Sequence, residues 1–346
     1  MNNPGGAVIA RLLKRAWRPD QPPADFPVDD LAQVEAQLMA SGSAGLAWWR
    51  IRADETLRES AVGSRLHDAF RMHTLHAGLN EEHIERVLNA LASEGIQALL
   101  FKGWDAARMY PEPGLRPYGD IDLLVRPQDM EHAREVCSRL PEGSRADLVH
   151  DVETFGSTLD ALFAASGVAR LASGYEVRVP SKEDRLRLLG LHTLKHGAWR
   201  PLWLCDVGIA VETRGDDFDW HRCLTQSPVV QDWVTTIVAL SGALLGADIS
   251  PTPAAGRVLP RWLVRAVLSR WGVPFPERYG TVLEPLAMLR DPVDVARGLR
   301  KRWADPISAT VAMKAQFNSV PRAPIQVAYA LRRTAGFVAR RGAHKT

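Results

Sequence analysis

Two aspartates set two residues apart, Asp120 and Asp122, flank Ile121 at the head of the apolar run Ile121-Asp-Leu-Leu-Val125. A Lys102-Gly103 pair closes an earlier apolar run, Leu99-Leu-Phe101. Side chains at i and i+2 of a strand point to the same face, so both carboxylates can reach one divalent metal. Acids buried beside Ile121, Leu123 and Leu124 would be costly without a partner, which favours a metal over loop-exposed charge. With a glycine at a strand-to-helix junction upstream, this is a layout for phosphate chemistry.

Other residues nearby have more than one role open to them. Lys102 and Arg116 could contact a phosphate or form salt bridges with the aspartates. Trp104 could stack on a base, but a tryptophan at a helix start is more often a core residue. His192 and His196 stand at i and i+4, a spacing able to hold a metal from one helix face. No Glu follows His192, so the zinc-protease pattern is absent and a bracing role is favoured; Asp206 reads in the same way as an anchor. The dipeptide His150-Asp151 seeds a rival reading, a metal-dependent phosphohydrolase, but its surroundings look like a strand.

The elements that must position these residues follow from periodicity and punctuation. Residues 1–95 read as a helical region: Leu66, Phe70, His73 and Ala77, then Ile84, Leu88 and Leu91, recur at helical spacing, and Gly95 stands as a stop. Residues 96–180 read as an α/β core. Its strands are Ile96–Phe101 and Ile121–Val125, with weaker ones at Asp147–Val152 and Tyr175–Val179, and its helices are Trp104–Tyr110 and Pro127–Leu140. From 181 to 346 the pattern is helical, headed by the capping signature Ser181-Lys-Glu-Asp184. The fold class expected is α/β (α+β): a small mixed sheet with flanking helices and an all-helical C-terminal domain.

Bulk properties exclude several classes. The chain of 346 residues is 46% hydrophobic and 24% charged, which is ordinary for a globular protein with a packed core. No secretory leader is evident at the N-terminus, and no apolar run approaches the roughly 18 residues of a spanning helix. Three cysteines, Cys137, Cys205 and Cys223, match neither a disulfide framework nor a zinc knuckle, so a reduced, cytoplasmic protein is expected. The net charge of +3 hides an asymmetry: from Pro306 onward there are seven Lys and Arg and no Asp or Glu. Such a basic tail could meet an acidic partner, although a solvated helix face ending in a frayed tail is the plainer reading.

With these residues in view, the stretch from about Arg71 to Asp206 resembles the uncharacterised nucleotidyltransferase family of the DNA polymerase β-like superfamily. The resemblance rests on Lys102-Gly103, on Arg116 just upstream of Asp120-Ile-Asp-Leu-Leu-Val125, and on His192-x-x-x-His196 running into Trp203-Leu-Cys-Asp206. It implies that Asp120 and Asp122 hold Mg2+ and that Gly103 lets the backbone approach a nucleoside triphosphate such as ATP. The helix beginning there would offer free N–H groups to the phosphates, with Lys102 or Arg116 pairing with them. It implies a third carboxylate from a later strand, for which Asp147 is the best candidate and Asp151 the second. The superfamily's usual glycine-serine pair is Gly103-Trp104 here, so the serine hydroxyl is missing. The activity implied is transfer of a nucleoside monophosphate to a small-molecule, peptide or RNA acceptor. A non-catalytic nucleotide- or partner-binding protein on the same fold is the alternative.

Overall fold

The periodic segment that ends at Gly95 forms one long helix whose buried face carries Leu66, Ala77, Ile84, Val87, Leu88 and Leu91, whose ends are both capped, and whose residues Met72, Leu75 and Leu79 are exposed. In the computed structural model this helix, α5, spans Ala61–Ser93. Ser60 Oγ accepts from the Gly63 amide at its start, and Gly95 takes a positive φ of 73° at its end. The structure describes residues 4–22, 25–141, 144–150, 157–224, 227–273 and 303–343. Before α5 lie α1 (Pro4–Leu12), α2 (Val28–Ala40), α3 (Ala44–Ile51) and α4 (Glu55–Glu59).

The α/β segment follows. Strand β1 (Ala98–Leu100) leads through Lys102 into the short helix α6 (Gly103–Ala107), and β2 (Ile121–Val125) leads to α7 (Met130–Ser138). Strand β3 (Ala146–Val149), helix α8 (Leu159–Ala165) and the hairpin β4 (Gly167–Arg170) and β5 (Glu176–Val179) complete it. The sheet is mixed, as expected. Its order is β1-β2-β3, with β1 antiparallel to β2 and β2 parallel to β3, while β4 and β5 pair separately.

Strand β2 buries both faces, in two different cores. Ile121, Leu123 and Val125 join a cluster with Ile84, Val87 and Leu91 of α5, Met130, Ala133 and Val136 of α7, and Val177 and Val179 of β5. Leu124, on the opposite face, joins the main core of helices. That face continues to Asp122, and there the packing opens.

The opposing wall is helical. Helix α9 (Lys182–Lys195) starts at Ser181, whose Oγ accepts from the Asp184 amide as the capping signature predicts. It is followed by α10 (Pro201–Glu212), α11 (Trp220–Leu224), α12 (Pro228–Leu245), α13 (Arg261–Trp271), α14 (Pro306–Ala312) and α15 (Ala323–Ala343). Helix α12 is long and apolar enough to cross a membrane by length and composition, yet it packs against α9 and α10 and buries Trp233, Val234, Ile237, Val238 and Leu240. The N-terminal helices share this core, since Ile9, Leu12, Leu38 and Leu46 pack in the same cluster as Leu204 and Ile237. The basic tail is helical from Ala323 to Ala343, and Arg332 of this helix donates to the Ala312 carbonyl.

Candidate active site

The parallel pairing of β2 and β3 decides where the acids meet. In its register Asp122 stands opposite Asp147, and Ile121 opposite Ala146. Residues opposite one another in neighbouring strands project to the same face, so Asp122 and Asp147 are neighbours on one face, with Asp120 two residues ahead of Asp122. All three line a cavity of about 490 Å3. Lys102, Gly103 and Arg116 line it too, so every residue of the expected site lies around one space. Asp151 and Val152 lie outside the described residues; His150 is exposed just past β3.

The junction after β1 is built around Lys102. The Phe101 amide donates to the Asp122 carbonyl, which extends the β1–β2 pairing by one residue before the chain turns. Lys102 then takes φ 57° and ψ −136°, a conformation side chains rarely adopt. Such a backbone costs on the order of 1–3 kcal/mol and persists only where the surroundings enforce it. Here it directs the ammonium back to the sheet, where Nζ is 3.1 Å from Asp122 Oδ1. Of the two roles read for Lys102, the ion pair is the one formed here.

Gly103 has a packing reason of its own. A Cβ built there would lie 3.1 Å from the Asp120 carbonyl oxygen, so a side chain would press on the loop that carries Asp120. Helix α6 is only five residues long, too short for a developed macrodipole. Trp104 is buried, with Nε1 donating to Glu81 Oε1 at 2.7 Å, and is a core residue rather than a stacking platform.

The 116–120 loop is fixed from two sides. Tyr118 donates to the Ala77 carbonyl, and its own carbonyl accepts from Asn80, both on α5. Arg116 is buried and donates to Asp206 of α10, with Nη2 2.9 Å from Oδ2, while the Tyr110 hydroxyl donates to Oδ1 at 2.9 Å. Burial opposes the Arg116 charge, but Asp206 outweighs it and the guanidinium pKa moves up. Asp206 is thus an anchor, as its position suggested, and Arg116 bridges to it rather than to Asp120 or Asp122. A second buried pair ties α6 to α9: Arg185 reaches both oxygens of Asp105, at 2.7 and 3.0 Å.

The charges inside the cavity perturb one another. Burial raises the Asp122 pKa; Lys102 opposes the rise, and Asp147 and Asp120 add to it. Across the cavity, burial pushes His192 down to about 2, and His196, Lys102 and Arg116 add to that, so this imidazole is neutral. His192 packs edge-on against Trp203 at 4.6 Å and lies 4.6 Å from His196 between ring centroids. Among the described residues no group of three or more His, Cys, Asp or Glu is set to hold a metal ion, and both histidines pack against Trp203.

Residues 29–140 match the family profile described as an uncharacterised nucleotidyltransferase. The match bears out the resemblance drawn from the two motifs, since Lys102, Gly103, Arg116, Asp120 and Asp122 all lie within it. It supports nucleotidyl transfer as the general chemistry of the matched segment. It takes in α2 to α5 as well as the first two strands, and it ends before Asp147 and before the helical wall from His192 to Asp206. No curated protein and no solved structure matches the chain.

Some lining residues escaped the sequence reading. Arg200 lines the cavity with Lys102, Asp120 and Asp122, beside Trp203 of the motif that ends at Asp206, and Tyr110 helps to hold Asp206. The available signal was the segment Trp199-Arg-Pro-Leu-Trp203, in which a proline starts a helix between two tryptophans and immediately after an arginine.

Proposed function

We propose that the protein is a magnesium-dependent nucleotidyltransferase that moves a nucleoside monophosphate from a triphosphate, ATP in the simplest case, onto an acceptor nucleophile. The observation that carries this reading is the register pairing of Asp122 with Asp147, with Asp120 on the same cavity. Three carboxylates from two adjacent strands and the loop before them thereby line one cavity, and Lys102 pairs with Asp122 among them.

The donor set suits the metal. Mg2+ takes hard oxygen ligands, keeps several waters, and is commonly held by one or two carboxylates together with substrate phosphates, not by an all-protein cage. Asp120 and Asp122 are the residues that would hold it. Asp120 is exposed and Asp122 partly so, which leaves room for water and phosphate oxygens. When bound, the ion would neutralise charge on the triphosphate and on the departing pyrophosphate.

The chain's own groups supply the remainder. An acceptor hydroxyl or phosphate oxygen attacks the α-phosphorus, the bond from that phosphorus to the bridging oxygen breaks, and pyrophosphate leaves. Asp147, exposed at the sheet edge, takes the acceptor's proton as general base, a contribution of about 100- to 10,000-fold in such reactions. Lys102 supplies positive charge beside the reacting phosphates, and Arg116 positions the Asp120 loop through Asp206. The helical wall of α9 and α10 selects the acceptor, which can be a small molecule, a peptide or an RNA.

The test is transfer of label from α-labelled triphosphates, in magnesium, to acceptors supplied by a cell extract. Asp120→Ala and Asp122→Ala must each abolish transfer. Label transfer that survives both substitutions contradicts the reading, and nucleotide binding without pyrophosphate release under any acceptor favours a non-catalytic binding protein.

A further inference from the structure

The cations around the cavity are not equivalent. Lys102 is paired with Asp122 at 3.1 Å, and Arg116 with Asp206 at 2.9 Å. Arg200 lines the same cavity from the start of α10, and no carboxylate of the described residues lies within salt-bridge distance of it. Its side chain is nonetheless held. Nε donates to the Ser41 carbonyl at 3.2 Å, and the guanidinium carbon sits 5.3 Å from the ring centroids of both Trp199 and Trp203.

That arrangement is unusual in its economy of partners. A guanidinium presents five N–H donors in a fixed fork that matches phosphate, and here one donor is spent on a backbone carbonyl. Burial depresses the Arg200 pKa and repulsion from Arg116 adds to that, while the more distant Asp206 and Asp120 oppose the shift without reversing it. An anion held directly by the guanidinium would make up the remaining deficit of negative charge. The two rings and the Ser41 carbonyl already hold the side chain, so less of its freedom remains to be lost on binding.

We propose that Arg200 is the anion-recognition residue of this cavity and that it takes the terminal phosphates of the nucleoside triphosphate, from the wall opposite Asp120 and Asp122. The assignment rests on the reading of the cavity as a triphosphate site. It extends that site beyond the family-matched residues to the helical part of the chain, so the donor would be clamped between the sheet and α10. The β- and γ-phosphates carry most of the donor's charge and leave together as pyrophosphate, and a cation placed on them favours both donor binding and departure of the leaving group.

Calorimetric titration of the full chain at fixed magnesium tests this, with ATP, AMP, adenosine and inorganic tripolyphosphate as ligands. Arg200→Gln is expected to weaken ATP and tripolyphosphate about 10- to 100-fold, the range for losing a charge-assisted bond, to weaken AMP less, and to leave adenosine unchanged. Unchanged ATP affinity overturns the proposal, and equal losses for ATP and AMP overturn the assignment to the terminal phosphates. Because Arg200 also holds the Ser41 carbonyl, Arg200→Lys is measured alongside. It keeps charge but not the fork, and a loss of about threefold or more for ATP is expected. If Arg200→Gln fails to fold, unchanged ATP affinity in Arg200→Lys overturns the proposal by itself. Label transfer in the same variants separates the two readings. Wild-type transfer with unchanged ATP affinity in Arg200→Gln removes the Arg200 assignment alone. ATP bound through Arg200 without transfer to any acceptor removes the transferase reading alone.

Discussion

Asp122 and Asp147 stand opposite each other in the register of two parallel strands and face one cavity. Like charges on adjacent strands repel, and Lys102 is the only cation that pairs with either acid among the described residues. The structure therefore concentrates negative charge where a divalent cation would offset it, and one lysine holds part of it in balance.

The first consequence concerns Asp122. Its carboxyl pKa is raised, chiefly by burial, so the folded state holds that proton more tightly than the unfolded chain. Folding stability then falls as pH rises from the ordinary carboxylate value through the raised one. Asp122→Asn removes the ionisation while keeping an oxygen for Lys102. The variant is expected to melt higher than wild type at neutral pH and to lose that advantage below the ordinary carboxylate range, while label transfer drops at least about 100-fold. Thermal melts across pH, run beside the transfer assay, check both halves.

Backbone strain at Lys102 gives a comparison that cancels the side chain. Lys102→Ala and Lys102→Gly both remove the ammonium, but only glycine adopts φ 57° and ψ −136° freely. After glycine's extra unfolded-state entropy is deducted, the glycine variant should be more stable by about 1 kcal/mol. Urea unfolding of the pair measures it, and equal midpoints would show that the turn is unstrained.

Asp206 lies under the site rather than in it. Truncation to Ala would leave the buried Arg116 unpaired and take the acceptor from the Tyr110 hydroxyl. Breaking a buried pair from one side costs about 3–5 kcal/mol. Asp206→Ala should show that loss in chemical denaturation, and what protein remains folded should have a misplaced Asp120 loop and a higher KM for the triphosphate.

His192 sets an acid limit. Its folded pKa is about 2, well below the ordinary histidine value, mainly because of burial. Below the unfolded histidine value the unfolded chain binds a proton that the folded one refuses, so stability is lost as pH falls through that window. His192→Gln should flatten the decline between roughly pH 6.5 and pH 4, as read by denaturation midpoints at successive pH values.

Much of this arrangement was legible in the chain because it is local. Gly95 stops α5, Ser181 caps α9, and the spacing of Asp120 and Asp122 points both at one space, although Asp120 lies in the loop just ahead of β2 and not on the strand. What was not legible depends on distant packing. The parallel pairing that sets Asp147 beside Asp122 is a property of the sheet, as is the burial of Leu124 in one core and Leu123 in another. Arg116 could be read as a cation near two acids, but its partner Asp206 arrives on a helix of the later half. Arg200 was overlooked because nothing in its sequence neighbourhood shows which charges it faces. Strand β4 was missed because Gly167-Val-Ala-Arg170 is short and mostly exposed, and gives no apolar alternation to read.

Asp120 and Asp122 are proposed as the metal-binding side of a triphosphate site. Anomalous diffraction from crystals soaked with manganese and a non-hydrolysable triphosphate tests this assignment most directly. A manganese peak is expected in contact with Asp120, Asp122 and phosphate oxygens, inside the cavity that Asp147 and Arg200 also line. A triphosphate seated elsewhere, or a metal peak that leaves both aspartates uncontacted, would contradict the assignment.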